Sequence, residues 1–260
     1  MKKAYLTIIW IITAICIIGG TFYHVGGFIT FFDKNYSGKK ISANVVSDSQ
    51  QLEISGKKVA IDVDGRVMEL TLQRGNDWSA AYDSEDYLKP QIKISRTDDG
   101  NEKITVTQPD AESKEVNYKR NVNCKLTMTV PKDVEISDFN VVLNIGDLNV
   151  SNISAENMDV NVDIGDANIE NCKIRKGYIE AAMGDVDIED SSFDEFEITA
   201  DMGDIYIGSK GSLEKYMIDA NVDVGSLSIN GKNRHNEYYQ DGKKGKLTVD
   251  ASMGDVDIDW

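Results

Sequence analysis

The sequence predicts an all-β protein: a parallel β-solenoid of about six coils, opened by an irregular β cap region and carried on one N-terminal transmembrane helix. Three observations predict it. An uncharged apolar run follows MKK at the start. Short runs of alternating apolar and polar residues fill the region from about 50 to 130. Beyond that, one phrase recurs six times, as NIGDLNV, DIGDANI, AMGDVDI, DMGDIYI, DVGSLSI and SMGDVDI.

The apolar run spans residues 4 to 32 without a formal charge. A bilayer core takes about 20 apolar residues as a helix, so 4–24 suffice as an anchor, with the apolar character continuing to 32. Lys2 and Lys3 precede it. The positive-inside bias then puts 1–3 in the cytoplasm and the rest of the chain outside the cell membrane, as a single-pass protein. A cleaved signal peptide is the competing reading, but its apolar region is normally about 7–15 residues and ends at a small-residue site. Ile15 before Cys16 does not suit lipidation. Residues 33–49 read as a polar tether.

Between 50 and 130 the runs QLEIS, KVAIDV, VMELTL, QIKIS, EKITV and KLTMTV alternate with period two, the mark of half-buried strands. Turn-rich pieces separate them. This region is expected to be an irregular β cap, with a β-sandwich as the alternative. Pro131 opens the repeats of 131–260.

The repeat is marked by Gly146, Gly165, Gly184, Gly203, Gly225 and Gly254, spaced 19, 19, 19, 22 and 29 apart. A period near 20 is a solenoid signature. Before each glycine the apolar residues fall at odd offsets, as in Met158, Val160, Val162 and Ile164; after it they fall at plus two and plus four. A straight strand cannot change phase without turning one half inside out. A corner at Gly-Asp resolves the conflict, because glycine reaches positive φ without steric cost and Asp bonds nearby backbone amides. Each unit is then a strand, a corner and a strand, and buries its apolar side only against its neighbours. At about 4.8 Å per coil, six coils make a rod of roughly 30 Å.

The passage KLTMTVPKDVEISDFNVVLNIGDLNV and the GD(V/I)-x-I units after it resemble the bacterial "putative adhesin" family of β-strand repeat proteins. The resemblance covers about 120–260 and extends back to about 50. It implies a β-solenoid outside the membrane. It brings no assigned activity, cofactor or catalytic residue. Some members of that family are membrane-anchored and sit near envelope-stress systems of low-GC Gram-positive bacteria. The Ser226 copy and the two longer spacings depart from the plain repeat.

Charge bounds the partners. Acids outnumber bases by 44 to 28, giving a net charge of −16. Nucleic acid requires a basic face, so it is excluded as a partner. Cell-surface protein or polysaccharide remains. Asp147, Asp166, Asp185, Asp204 and Asp255 would stack as a ladder. Like charges about 5 Å apart repel by about 1 kcal/mol in water, and either backbone amides or a divalent cation such as calcium would relieve this. Corner capping is the preferred reading, because the calcium repeat of known solenoids, G-G-x-G-x-D, is missing. Carboxylates repeated alike do not make the unequal acid and base pair of a glycosidase. No Ser-His-Asp or Cys-His set is legible, so no catalytic residue is expected. The insertion 230–246 is basic and aromatic, and Arg234, His235, Tyr238 and Tyr239 are the candidate partner contacts. Cys124 and Cys172 read as two buried free thiols, with a disulfide as the alternative. The expected function is a non-enzymatic, adhesin-like envelope protein that binds or scaffolds, with a link to envelope stress. A carbohydrate-active β-helix enzyme and a structural or cation-binding surface module are the alternatives.

Overall fold

The computed structural model describes residues 45–97, 100–109 and 124–260, which fall in one compact unit, Ala43–Trp260. The anchor expected at 4–24, the apolar continuation to 32 and Cys16 lie outside the described residues. Among the described residues no helix is long and apolar enough to cross a membrane.

The fold is all-β. Among the described residues seven strands precede the repeats: β1 (Val45–Gln51), β2 (Lys58–Val67), β3 (Glu69–Gly75), β4 (Ser79–Glu85), β5 (Gln91–Arg96), β6 (Glu102–Thr107) and β7 (Lys125–Pro131). The repeats begin with β8 (Glu135–Ile145), β9 (Leu148–Ser151), β10 (Ser154–Ile164), β11 (Ala167–Glu170), β12 (Lys173–Met183), β13 (Val186–Met202) and β14 (Ile205–Ser209). They close with β15 (Met217–Val224), β16 (Leu227–Ile229), β17 (Lys232–Arg234), β18 (Glu237–Gln240), β19 (Lys246–Met253) and β20 (Val256–Asp259).

Each coil contributes one strand to each of two parallel ladders. Along one ladder β8, β10, β12 and the second half of β13 pair in parallel, with Val141, Val160, Ile179 and Ile198 in one row. Along the other, β9, β11, the first half of β13 and β14 pair in parallel, with Val150, Ile169, Ile188 and Ile207 in one row. Rows of this kind meet between the ladders and form the core. Every coil leaves apolar surface for the next one to cover, which is why the stack and not the single unit is stable.

The coils do not stack in sequence order. β19 pairs with β13 on one side and β15 on the other. β20 likewise lies between β14 and β16. The last coil of the sequence is therefore inserted beneath the one before it. The longer spacings follow from this. The segment after β14 crosses over a coil position, and β19 and β20 later fill it.

The other end repeats the arrangement. β2 and β3 pair in parallel with β8 and β9, and β6 and β7 lie outside them. The expectation of an irregular cap over 50–130 is thus corrected, because Lys58–Gly75 is a coil of the stack without the Gly-Asp mark, in register with β8 and β9 apart from one shift between Val59 and Ile61. Met68 stands where the other coils have glycine, and its N–H donates to Ile145 O (2.9 Å). The Gln108 side chain closes that corner, accepting from the amides of Arg66 (2.7 Å) and Val67 (2.9 Å) and donating to the carbonyls of Val67 (3.0 Å) and Leu88 (2.8 Å).

Antiparallel strands finish both ends: β5 on β6, β4 on β7 and β1 on β4 at one end, and β18 on β15 and β17 on β16 at the other. Such caps shield the outermost coils, whose edges would otherwise template association. Two expectations are corrected here. The tether does not run to residue 49, since Val45–Gln51 is already strand β1. QLEIS is not a strand beyond Gln51; Leu52 is buried, and its N–H donates to Trp78 O (3.1 Å).

Inside a coil the buried residues run 148, 150, 153, 155, 158, 160 and 162. Each step of three marks a change of direction. The first falls at Asn152, one of four non-glycine residues with positive φ among the described residues, with Asn171, Asp190 and Asn230 (φ 47–61°). Asn and Asp tolerate this left-handed conformation best among residues with a Cβ. The second step falls at Glu156, where the strand bends without ending. Gly177 occupies a row otherwise held by Phe139, Met158 and Phe196. A Cβ there would lie 2.3 Å from the Phe196 ring. The missing side chain is the space into which Phe196 leans.

The odd-offset rule fails at one position. The residue just before the corner glycine was expected to point inward, but Ile164, Met183, Met202, Val224 and Met253 are exposed. The chain is already turning there, so two consecutive residues, such as Asp163 and Ile164, face outward before the corner.

Candidate functional site

The Gly-Asp corners form one edge of the stack. Their glycines have φ between 136° and 154°, a region essentially closed to other residues. A Cβ on Gly184 would lie 2.0 Å from Gly165 O, and one on Gly203 1.9 Å from Gly184 O. Glycine is therefore required twice, by its own dihedral and by the coil beneath.

Each aspartate bridges to the next coil. The amides of Asp166, Asp185, Asp204, Asp255 and Ser226 donate to Oδ1 of Asp147 (3.1 Å), Asp166 (2.9 Å), Asp185 (2.8 Å), Asp204 (2.8 Å) and Asp255 (2.8 Å). A backbone N–H thus reaches a carboxylate on every step, which offsets the repulsion between neighbours. Ser226 closes the series because its coil is the outermost, and its amide needs an acceptor while no further coil needs one from it. Among the described residues no group of three or more His, Cys, Asp or Glu side chains is placed to hold a metal ion.

The candidate contacts at 230–246 are not a free loop. Arg234 ends β17, Tyr238 and Tyr239 lie in β18, and His235 is exposed between them. The Arg234 guanidinium stacks on the Tyr238 ring at 5.0 Å. Tyr238 donates to Gln240 Oε1 (3.0 Å), and Gln240 Nε2 donates to the carbonyls of Leu213 (2.9 Å) and Tyr216 (2.8 Å). Arg234 and Tyr238 therefore help hold the cap, while Tyr239 and His235 face outward.

Cys124 and Cys172 are free and buried. Burial pushes the Cys172 thiol up to about 11, so it is protonated and unreactive at neutral pH. Its register mate one coil on is Ser191, whose hydroxyl accepts from the Cys172 amide (3.0 Å) and donates to Glu189 O (2.8 Å).

Two surface hollows stand out. A cleft of about 540 Å³ is lined by Glu189, Asp190, Tyr206, Asp259 and Trp260 among others. Burial, followed by Asp259, Glu189, Asp187 and Asp190, raises the Tyr206 phenol above its usual range. A groove of about 680 Å³ on another side carries charges of both signs, among them Lys132, Lys173, Arg175 and Lys244 against Asp133, Glu135 and Asp194. Arg74 in its wall is structural. Its guanidinium donates to the carbonyls of Asn152 (2.9 Å), Pro131 (2.7 Å) and Val134 (2.8 Å), pinning the crossover from β7 to β8. Sequence reasoning missed Arg74 and Gln108, since neither lies in a unit marked by Gly-Asp. It also missed the second corner, which an Asn or Asp six residues after the glycine at 152, 171 and 190 would have disclosed.

The family model described as Toastrack DUF4097 matches residues 34–259. The chain belongs to the Toastrack DUF4097 family. Among solved structures, the chain is similar to a protein of Clostridium sporogenes described as a "putative cell adhesion protein". Identity is 15%, with 83% of this chain and 99% of that one covered and a TM-score of 0.58. A "putative adhesin" of Bacteroides fragilis aligns at 13% identity over 86% of this chain and 100% of that one, with a TM-score of 0.43. The first likeness shows a shared fold. A comparison with curated proteins found no match. In this Toastrack chain the conspicuous acidic repeat is a structural joint.

Proposed function

We propose that this Toastrack protein is a non-enzymatic envelope component, held by its apolar N-terminal segment, that displays residues 45–260 outside the membrane as an adhesin-like binding or scaffolding surface. The observation that carries this reading is the use made of the repeated carboxylates. Each ladder aspartate has an oxygen committed to the amide of the next coil, so the row holds a shape and offers no unequal acid and base pair. What varies between coils lies on the outer faces, at fixed spacing, which suits an extended polymer or a protein partner. The Clostridium sporogenes relative's description as a "putative cell adhesion protein" points the same way. A place beside envelope-stress systems belongs to the proposal through family resemblance alone.

The test is protease shaving of intact cells followed by crosslinking and mass spectrometry. Removal of epitopes in 45–260 from outside, and recovery of a wall polymer or surface protein crosslinked to the cap or the hollows, is expected. Protection of those epitopes in intact cells, or release of sugar from wall polymers by the purified protein, overturns the reading.

A further inference from the structure

We propose that Met183, Met202 and Met253 form a binding site for a soft monovalent metal ion, Cu(I), through their three thioether sulfurs. The three residues occupy one row on adjacent strands. Met183 is paired with Met202, and Met202 with Met253. All three face outward beside the glycine corner, with 47%, 43% and 53% of their surface exposed. The row continues as Ile145 and Ile164 on one side and Val224 on the other, so the sulfurs are confined to three successive coils.

This grouping is a product of the inserted last coil. In sequence order the coil after Met202 would present Val224. Insertion of β19 puts Met253 there instead and moves Val224 one step out. Two sulfurs would otherwise have stood together; the fold makes three.

The geometry suits a shared ion. A sulfur–metal bond is about 2.3 Å for thiolate on zinc. Three sulfurs around one ion at that distance stand roughly 4 Å apart. In-register strands lie about 4.8 Å apart, so the outer two backbone positions stand roughly 10 Å from one another and their side chains must converge over the middle one. Methionine's three rotatable side-chain bonds let the outer two sulfurs lean toward the middle one. Thioethers select Cu(I) over hard cations, for which carboxylate and carbonyl oxygens are the ligands. The corner aspartates Asp185, Asp204 and Asp255, two residues further along each coil, supply negative potential for a cation without competing as ligands. Apolar cover alone does not require sulfur, because isoleucine fills the same row elsewhere.

The test uses the full-length chain with a Cys16→Ser change, so that no thiol outside the described residues competes, labelled with carbon-13 at the methionine methyls. It is titrated anaerobically with Cu(I), and separately with Ag(I) as a redox-inert probe of like charge and softness. The expected result is a joint shift of the Met183, Met202 and Met253 methyl signals that saturates at one ion per chain. Met202→Leu, the middle ligand, should weaken binding by roughly tenfold or more, the loss that removal of an outer-shell partner alone brings. The triple Leu variant should abolish it with an unchanged unfolding midpoint. Unshifted methyl signals at these three positions, or equal affinity in the triple variant, overturns the proposal.

Discussion

Gly184→Ala tests the stack at its joint. Gly184 has φ 144°, where a residue with a Cβ carries roughly 1–3 kcal/mol of strain. The added methyl would stand 2.0 Å from Gly165 O and 3.0 Å from Asp166 Oδ1. Ordinary contact needs about 3.4 Å or more, so the two coils must part by more than an ångström at that corner. The bonds at risk are Gly165 N–H to Met183 O (2.9 Å), Ala167 N–H to Asp185 O (2.9 Å) and Asp185 N–H to Asp166 Oδ1 (2.9 Å). Losing even two of them adds about 1–3 kcal/mol. The total, about 2–6 kcal/mol, is a large share of the ~5–15 kcal/mol that holds a domain together. With a urea slope of about 2–3 kcal/mol per molar, the midpoint should fall by about 1–3 M. Gly211→Ala is the matched control, since nothing lies within 4 Å of a Cβ there, and it should stay within ~0.5 kcal/mol of the parent. If Gly184→Ala unfolds with the parent's midpoint, the corner is not the joint described here.

Other consequences follow from single contacts. Gly177→Ala should destabilise through its clash with the Phe196 ring, and Phe196→Leu should restore part of the loss, measured as a double-mutant coupling of about 0.5–3 kcal/mol. Cys172→Ser should fold normally, because Ser191 already fills that row one coil on; Ellman's reagent should leave native Cys172 untouched at neutral pH and label it only on unfolding. Tyr216→Phe removes the donor to the buried Phe193 O (2.7 Å) and should cost about 1–3 kcal/mol, read by thermal melting. Burial raises the Asp187 carboxyl above its usual value, so its charge opposes folding above that raised value and the opposition vanishes below the unfolded one. Asp187→Asn should therefore stabilise modestly at pH 7, because much of the side chain is in water, and should give no gain near pH 3.

How far the fold could be read depended on whether a position carries a periodic signal. The rows of Val141 to Ile198 and Val150 to Ile207 were visible as alternation, and the corner glycines as an interruption of it. Met183 and Met202 were assigned inward because alternation was extended one residue too far. A turn begins before its glycine, and apolar residues facing out there leave no compositional trace. The hollows draw residues from coils far apart in sequence, such as Asp190 with Trp260, so no window along the chain contains them.

By itself the sequence determined the strand, the corner and the repeat, because these rest on local rules: period-two alternation, glycine's dihedral freedom and aspartate's short reach. Only the tertiary structure decided the order of the coils. Every coil offers a similar apolar row, so local pattern leaves β14 and β20 free to accept β16 or each other. Chain length at the crossovers and the fit of whole faces settle that choice. The same choice made Lys58–Gly75 a coil through Gln108 in place of Gly-Asp, and it set Met253 beside Met202.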